Sequence, residues 1–452
     1  MTMQNENPWG RNDWAARVRA PEKCSAQYRQ TITGRYVDCA SNGRGGTAFL
    51  HHVRGRVGRM DASVVRGVRG LTARWVREVG GGSTVVSGLG VWPLLGILAT
   101  AADEPGRAEL AEAIGVDAVG AASAAGELIA ALDGPRDLRA ALGVWVSDTL
   151  KLAESFDSVV PVAARGTLTG DLQRDKAALD AWASEHTDGL IPRMPLELTK
   201  DTVLALASAL SLKTTWVRPF GEHPYTIDSG PWAGTWQWLS RNDPDLSTIR
   251  TYDDTSAGTL VTVTVKGEQD VDVVLGLGPQ DAPAASVVPA LVEAAGEPGA
   301  DGHALLATAR AGEELAPGLT VTPALWAPDV QLALPQFEIR AEHDLLKYKD
   351  IFGLAAVSTE PQDGGWFGGI TPEPLWVSQA KQAVLARFYA TGFEAAAVTA
   401  FGMVGAAAVT PKEVKGLRLD LDRPFAFVAI HRETRLPIVA GWVAEPTDRA
   451  QV

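Results

Sequence analysis

LDRPFAFVAIHRETRLPIVAGWVAEP, residues 421–446, holds two short strand candidates, Phe425–His431 and Ile438–Val443, rich in β-branched and aromatic residues. Further candidates precede it near Leu332–Ile339, Trp376–Tyr389 and Leu417–Leu421. Residues 259–279 add two more, TLVTVTVKG and DVDVVLGLG, separated by polar EQ as in a hairpin. The first half reads differently. Val64, Val65, Val68, Leu71, Trp75 and Val76 recur at helical spacing until GGGS at 80–83 breaks the pattern, and the apolar run Val91–Ala102 suits a buried helix. Pro105 opens a short helix ending near Gly115, an Ala-rich helix covers Ala118–Leu132, and residues 174–187 form another. ALGVWVS at 141–147 is a strand candidate, and the run from Thr202 to Lys213 suits a central strand buried on both faces. Late strands after early helices, with no repeat period, predict an α+β body rather than a βαβ array.

Composition narrows the function. Nearly half of the residues are apolar and about a fifth are charged, the balance of a globular chain with a substantial core. The net charge of −13 argues against a nucleic-acid-binding body, which needs concentrated Lys and Arg. Residues 1–60 carry ten Lys/Arg against four Asp/Glu and lack a sustained hydrophobic period, which predicts a basic, disordered tail or an upstream extension of a chain starting at Met60. Cys24 and Cys39 both lie there, so the body is expected to hold by packing alone. No transmembrane run and no signal-peptide core are readable, which points to the cytoplasm and to no membrane partner.

An enzyme needs a nucleophile, a base, a metal site or a phosphate cradle, and none is convincing. The histidines never fall at metal-ligand spacing outside the adjacent His51–His52 pair, so no metal or cofactor is expected. SGLGVWPLLG (87–96) and GLGPQD (276–281) miss the dinucleotide fingerprint, because Pro93 and Asp281 stand where its third glycine would.

Read together, the motifs resemble one family. Residues 421–446 are similar to the C-terminal signature of serpins, the serine protease inhibitors, through Arg423, Pro424, Phe425, Gly441 and Pro446. LDAWASEHTDGLIPRM (179–194) resembles the family's helix on its large sheet A, and LALASALSLKTTWVRPF (204–220) resembles that sheet's third strand, with Lys213, Trp216, Pro219 and Phe220 matching. LALPQFEI (332–339), FGGITPEPLWVS (367–378) and GFEAAAVTA (392–400) follow in the family's order, so the resemblance, of prokaryotic type, covers about residues 62–446. It implies the serpin fold: sheet A, two further sheets and eight to nine helices in one domain over 61–447, with hinge and reactive-centre loop at 390–416.

The function that the resemblance implies is suicide inhibition. The protease cleaves the exposed loop, and the hinge Gly392, Phe393, Glu394, Ala395, Ala396, Ala397, Val398, Thr399 enters sheet A while the enzyme is still attached. The small residues of that hinge can slide between strands without a clash. Counting forward from the hinge places the attacked bond at Ala406–Ala407; counting back from Pro424 moves it toward Thr410. Val404, Gly405, Ala406 and Ala407 suit an elastase-like or subtilisin-like serine protease, and Lys412 keeps a trypsin-like one open. Trp216 and Lys213 fall at the family's breach and Ser87, Ser208 and Gln382 at its shutter. A monomer is expected, and the family's habits also admit an extracellular setting.

Four departures matter. Phe393 stands where a small residue is usual, so its ring is expected to brake insertion by overpacking. Ala390 replaces an acid. Gly88 and Gly90 stand where the family has Pro and Ser. Ser208 and Gln382 replace Asn and His but remain able to hydrogen-bond. Phe393 also supports an alternative function, a serpin that binds or scaffolds without inhibiting.

Overall fold

The computed structural model describes residues 60–132, 138–295, 297–361, 365–393 and 413–447. Helix α1 (Ala62–Glu78) is capped by the Asp61 carboxylate, which accepts from the Ser63 N–H, and it buries Val64, Val68, Leu71, Trp75 and Val76 on one face. Strand β1 (Thr84–Val86) leads to α2 (Gly88–Ala101), whose residues are buried on all sides through Ala99. Its neighbours are α3 (Gly106–Ile114), closed by the left-handed Gly115, and α4 (Ala121–Leu132). Next come β2 (Leu138–Ser147), α5 (Phe156–Val159), β3 (Arg165–Leu168), α6 (Leu172–His186), β4 (Leu204–Leu212) and β5 (Thr214–Thr215). Hairpin β6 (Gly221–Ile227) and β7 (Gly234–Asp243) precedes β8 (Ile249–Thr255), β9 (Gly258–Lys266) and β10 (Val271–Leu277). Then follow α7 (Ala284–Ala294), β11 (Ala300–Asp301), α8 (Gly302–Thr308), β12 (Glu314–Ala316) and β13 (Leu319–Leu325). After them come β14 (Val330–Pro335), β15 (Phe337–Asp344), α9 (Lys349–Phe352), β16 (Gln379–Phe388) and β17 (Gly392–Phe393). Strands β18 (Glu413–Asp420), β19 (Phe425–His431) and β20 (Pro437–Val443) complete the order.

The strands form three sheets. Sheet A runs β3-β2-β4-β16, with β15 on the far side of β16 and the short β17 and β5 at one end; sheet B runs β1-β20-β19-β10-β9-β8-β11; sheet C runs β12-β13-β18-β14-β7-β6. The α+β body expected from the pattern is therefore present, with nine α-helices among the described residues. Strands β19 and β20 are buried at every position and pair with each other inside sheet B, which explains why that stretch is apolar without alternation. Helix α2 touches β2, β4 and β20, so it fills the space between sheets A and B, while α6 covers the other face of sheet A.

Two expected strands are corrected. The segment Leu332–Ile339 is two strands in different sheets, β14 in sheet C and β15 in sheet A, divided at Gln336 after Pro335, which lacks the N–H to continue a ladder. The strand expected over Trp376–Tyr389 covers only Gln379–Phe388, because the Val377 N–H is taken by the Val357 carbonyl outside the sheet. Elements β6, β7, β8 and α7 gave no readable signal. Strand β6 is mostly exposed and contains Pro224, and α7 carries Pro289 within it.

Candidate functional site

The site is a seam in sheet A. Strands β4 and β16 run parallel with Ala205 opposite Gln379 and Ser211 opposite Leu385, while their outer neighbours β2 and β15 are antiparallel to them. A strand descending between them from the Phe388 end would be antiparallel to both. On the face covered by α6, the seam is lined by Ala205, Ala207, Ala209 and Ala383, packed near Leu179 and Ala183 of the helix. Such short side chains leave little to displace when strands part.

At one end the seam is already open. Strand β4 breaks at the exposed Lys213 and resumes as β5, and β17 occupies the gap: Phe393 pairs with Phe388 of β16 on one side and with Thr214 on the other. A Cβ at Gly392 would lie 2.3 Å from the Thr214 carbonyl oxygen, so the wedge requires glycine there. Trp216 holds the turn that feeds it. Its indole N–H donates to the Tyr389 carbonyl at 2.9 Å, its backbone N–H donates to Thr391 at 3.0 Å, and the Phe220 N–H donates to Ala390 at 2.8 Å.

Phe393 itself is 0% exposed. Its ring meets Trp216 and Phe388 edge-on with centroids at 6.5 Å and lies 6.4 Å from Phe427 of sheet B. The ring expected to overpack on insertion is thus already seated in the core, before any further residue enters the seam. The face assignment by alternation explains why: residue 393 points inward, and a pocket between sheets A and B is shaped to take it.

Beneath the middle of the seam, the buried Ser87, Ser208 and Gln382 come together. The Gln382 amide grips the Ser87 backbone twice. Its Oε1 accepts from the Ser87 N–H at 2.9 Å, its Nε2 donates to the Ser87 carbonyl at 2.9 Å, and Nε2 also reaches Ser208 Oγ at 3.4 Å. Ser87 Oγ donates to the Ile438 carbonyl at 2.6 Å and accepts from the Gly90 N–H at 3.0 Å, which caps α2. One serine therefore ties sheet A, sheet B and the helix between them. His343, opposite Gln382 in register, donates from Nε2 to the Val85 carbonyl at 2.8 Å. Burial pushes its ring below the ordinary histidine value, against the raising effect of that bond.

The glycine departures follow from packing against α1 and against this cluster. A Cβ would lie 2.1 Å from Thr72 Oγ1 at Gly88 and 2.6 Å from Ser208 Oγ at Gly90, with Gln382 Nε2 at 3.0 Å from the latter. The sequence shows glycine there; only the packing shows that Thr72 of α1 has taken the space at Gly88, and Ser208 with the Gln382 amide the space at Gly90. Gly90→Ser is accordingly expected to lower stability by about 1–3 kcal/mol, as overpacking does, although serine is the family's residue. Equal unfolding midpoints in a denaturant titration of the two proteins would contradict this packing.

Near the turn, Glu338 accepts from the Tyr389 hydroxyl at 2.9 Å and pairs with Arg387 at 3.2 Å. Burial raises its carboxyl pKa, but those hydrogen bonds and the neighbouring charges outweigh it, and the net shift is downward. Ala390 is buried against this corner. Residues Glu394, Ala395, Ala396, Ala397, Val398 and Thr399 and the bond Ala406–Ala407 lie outside the described residues. Sequence reasoning named Trp216, Lys213, Ser87, Ser208, Gln382, Gly392 and Phe393. It missed Phe388, Thr214 and His343, which act only through contacts across the sheet.

Comparison with known proteins agrees with the geometry. The family model described as serpin (serine protease inhibitor) matches residues 71–229 and 319–446. Mouse alpha-1-antitrypsin 1-1 is 32% identical over 121 residues, 26% of this chain and 27% of that protein, so the aligned stretch spans about a quarter of the relative. Horse alpha-1-antiproteinase 2 is 23% identical over 316 residues, 68% of this chain and 66% of that protein. Among solved structures, human thyroxine-binding globulin superposes with a TM-score of 0.65 at 16% identity, covering 87% of this chain and 100% of that one. Serpin48 of the insect Tenebrio molitor gives 0.63 at 17% identity, covering 85% and 98%. These structural likenesses carry the fold, the family match carries the lineage, and the chain belongs to the serpin family of serine protease inhibitors.

Proposed function

We propose that the protein inhibits serine proteases as a suicide substrate, and the observation that carries this reading is the parallel β4–β16 seam with β17 already wedged into one end. Serpin loops are known to add to the sheet as a strand and to release stored strain in doing so. In this chain the protease serine would attack the carbonyl of Ala406. The Ala406–Ala407 bond breaks, the Ala407 nitrogen leaves as an amine carrying the proton taken from the serine, and an ester joins Ala406 to the enzyme. Residues from 394 onward would then follow β17 into the seam and carry the enzyme along sheet A before water cleaves the ester. Small residues around that bond favour an elastase-like or subtilisin-like target.

The test is to mix the protein with elastase, subtilisin and trypsin and to analyse the products in denaturant. The expected product joins one protease to residues 1–406, with the peptide 407–452 released. Clean cleavage without an adduct by every enzyme of the panel would overturn the inhibitory reading and leave a serpin that binds without trapping.

A further inference from the structure

The segment 394–412 is tied at both ends, to β17 in sheet A and to β18 in sheet C. Ten residues laid along the ten-residue β16 carry the chain about 33 Å from its starting point. What remains of 394–412 can return over that span only if drawn nearly taut, at about 3.3–3.6 Å per residue. Full entry of an uncut loop therefore pulls on the start of β18, and is eased only as that strand gives up residues. Whatever holds β18 holds the trap.

Strand β18 is held on both edges. It runs parallel to β14, Val330 opposite Leu417 and Ala333 opposite Asp420, and antiparallel to β13 over its full length, Leu319 opposite Leu419 and Leu325 opposite Glu413. The backbone bonds alternate accordingly. Leu417 N–H donates to Asp329 on the β14 side at 2.8 Å, and Asp420 N–H donates to Gly318 on the β13 side at 3.3 Å. Strand β13 is itself backed. Val321 N–H donates to Glu313 at 2.8 Å and its carbonyl accepts from Gly312 at 2.9 Å, so the flanking Thr320 and Thr322 turn their backbone groups to β18. At the loop-proximal end, Lys415 Nζ donates to the Leu306 and Ala309 carbonyls at 3.0 and 2.8 Å, fastening the strand to the end of α8.

We infer that the β12–β13 hairpin is a clasp that keeps the uncut loop from spending itself: by closing the second edge of β18, it makes release of that strand slow, so that insertion waits for cleavage. This rests on the proposed function, because it presupposes that the loop inserts. The barrier is kinetic, and interactions that must break before the transition state govern its height.

Thr320→Pro and Thr322→Pro each delete one N–H facing β18 and test the idea in the full-length protein. Held uncut just below the thermal transition, the variants are expected to accumulate a form that is intact by mass yet melts higher, at least about tenfold sooner than the wild type. Conversion no faster than wild type would overturn the clasp. A second measurement covers variants that fail to fold: in the wild type, hydrogen exchange at Gly416 and Arg418, which face β13, should be as slow as at Leu417 and Leu419, and fast exchange at the first pair alone would equally overturn it. If instead the cut wild type melts no higher than the intact protein, it is loop insertion that fails, a separate result from either.

Discussion

A single cut between Val404 and Ala408 is expected to raise the thermal transition by roughly 10 °C or more, which at about 2 °C per kcal/mol for a domain of this size corresponds to on the order of 5 kcal/mol. Cleaving a loop ordinarily leaves stability unchanged or lowers it, because the unfolded chain gains freedom. Here the cut removes the tether that holds the hinge to β18. The seam then exchanges one slanted parallel ladder between β4 and β16 for two antiparallel ladders to a new central strand. Alternate side chains of that strand pass beneath α6, over Ala205, Ala207 and Ala209, and the others continue inward from Phe393. Scanning calorimetry of intact and cleanly cut protein checks this, with mass spectrometry to place the cut. A transition that stays in place or falls would mean that the wedge at β17 never extends, and the inhibitory reading would fall with it.

Much of the architecture was legible because strong local patterns agree with the global fold. Helix α1 shows its core face at helical spacing, and α2 and β4 are apolar without alternation because each is buried on both sides. Sheet C was the least legible part. Strand β6 is an exposed edge without alternation, and β13 pairs with a strand nearly a hundred residues later, a partner that no local window contains. The site divides in the same way. Ser87, Ser208 and Gln382 were found one by one through family resemblance, but the double grip of the Gln382 amide on the Ser87 backbone depends on space left by Gly90 across an interface. The setting of Phe393 was hidden for a related reason. Alternation gave its face correctly, but whether that face already had a pocket depended on Trp216, Phe388 and Phe427, which are distant in sequence.

That pocket sets the second large effect. Replacing the buried ring in Phe393→Thr removes most of its volume and brings a hydroxyl into an aromatic cluster, a change expected to lower stability by about 3–5 kcal/mol, as buried Phe truncations do. The decisive feature is where the loss falls. Phe393 occupies its pocket in the closed sheet and, as the residue from which the inserted strand would continue, keeps that pocket after insertion. Intact and cut proteins should therefore both melt lower by a similar amount, leaving the rise on cutting nearly unchanged, and the number of inhibitor molecules consumed per protease trapped should not fall. A braking ring makes the opposite prediction, because it would obstruct only the step into the sheet. Its removal would spare the intact protein and lower the number consumed. Melting curves of the four species, wild type and variant, each intact and cut, separate the two: a variant that melts like the wild type when intact but traps protease more economically would return Phe393 to the role of an obstacle.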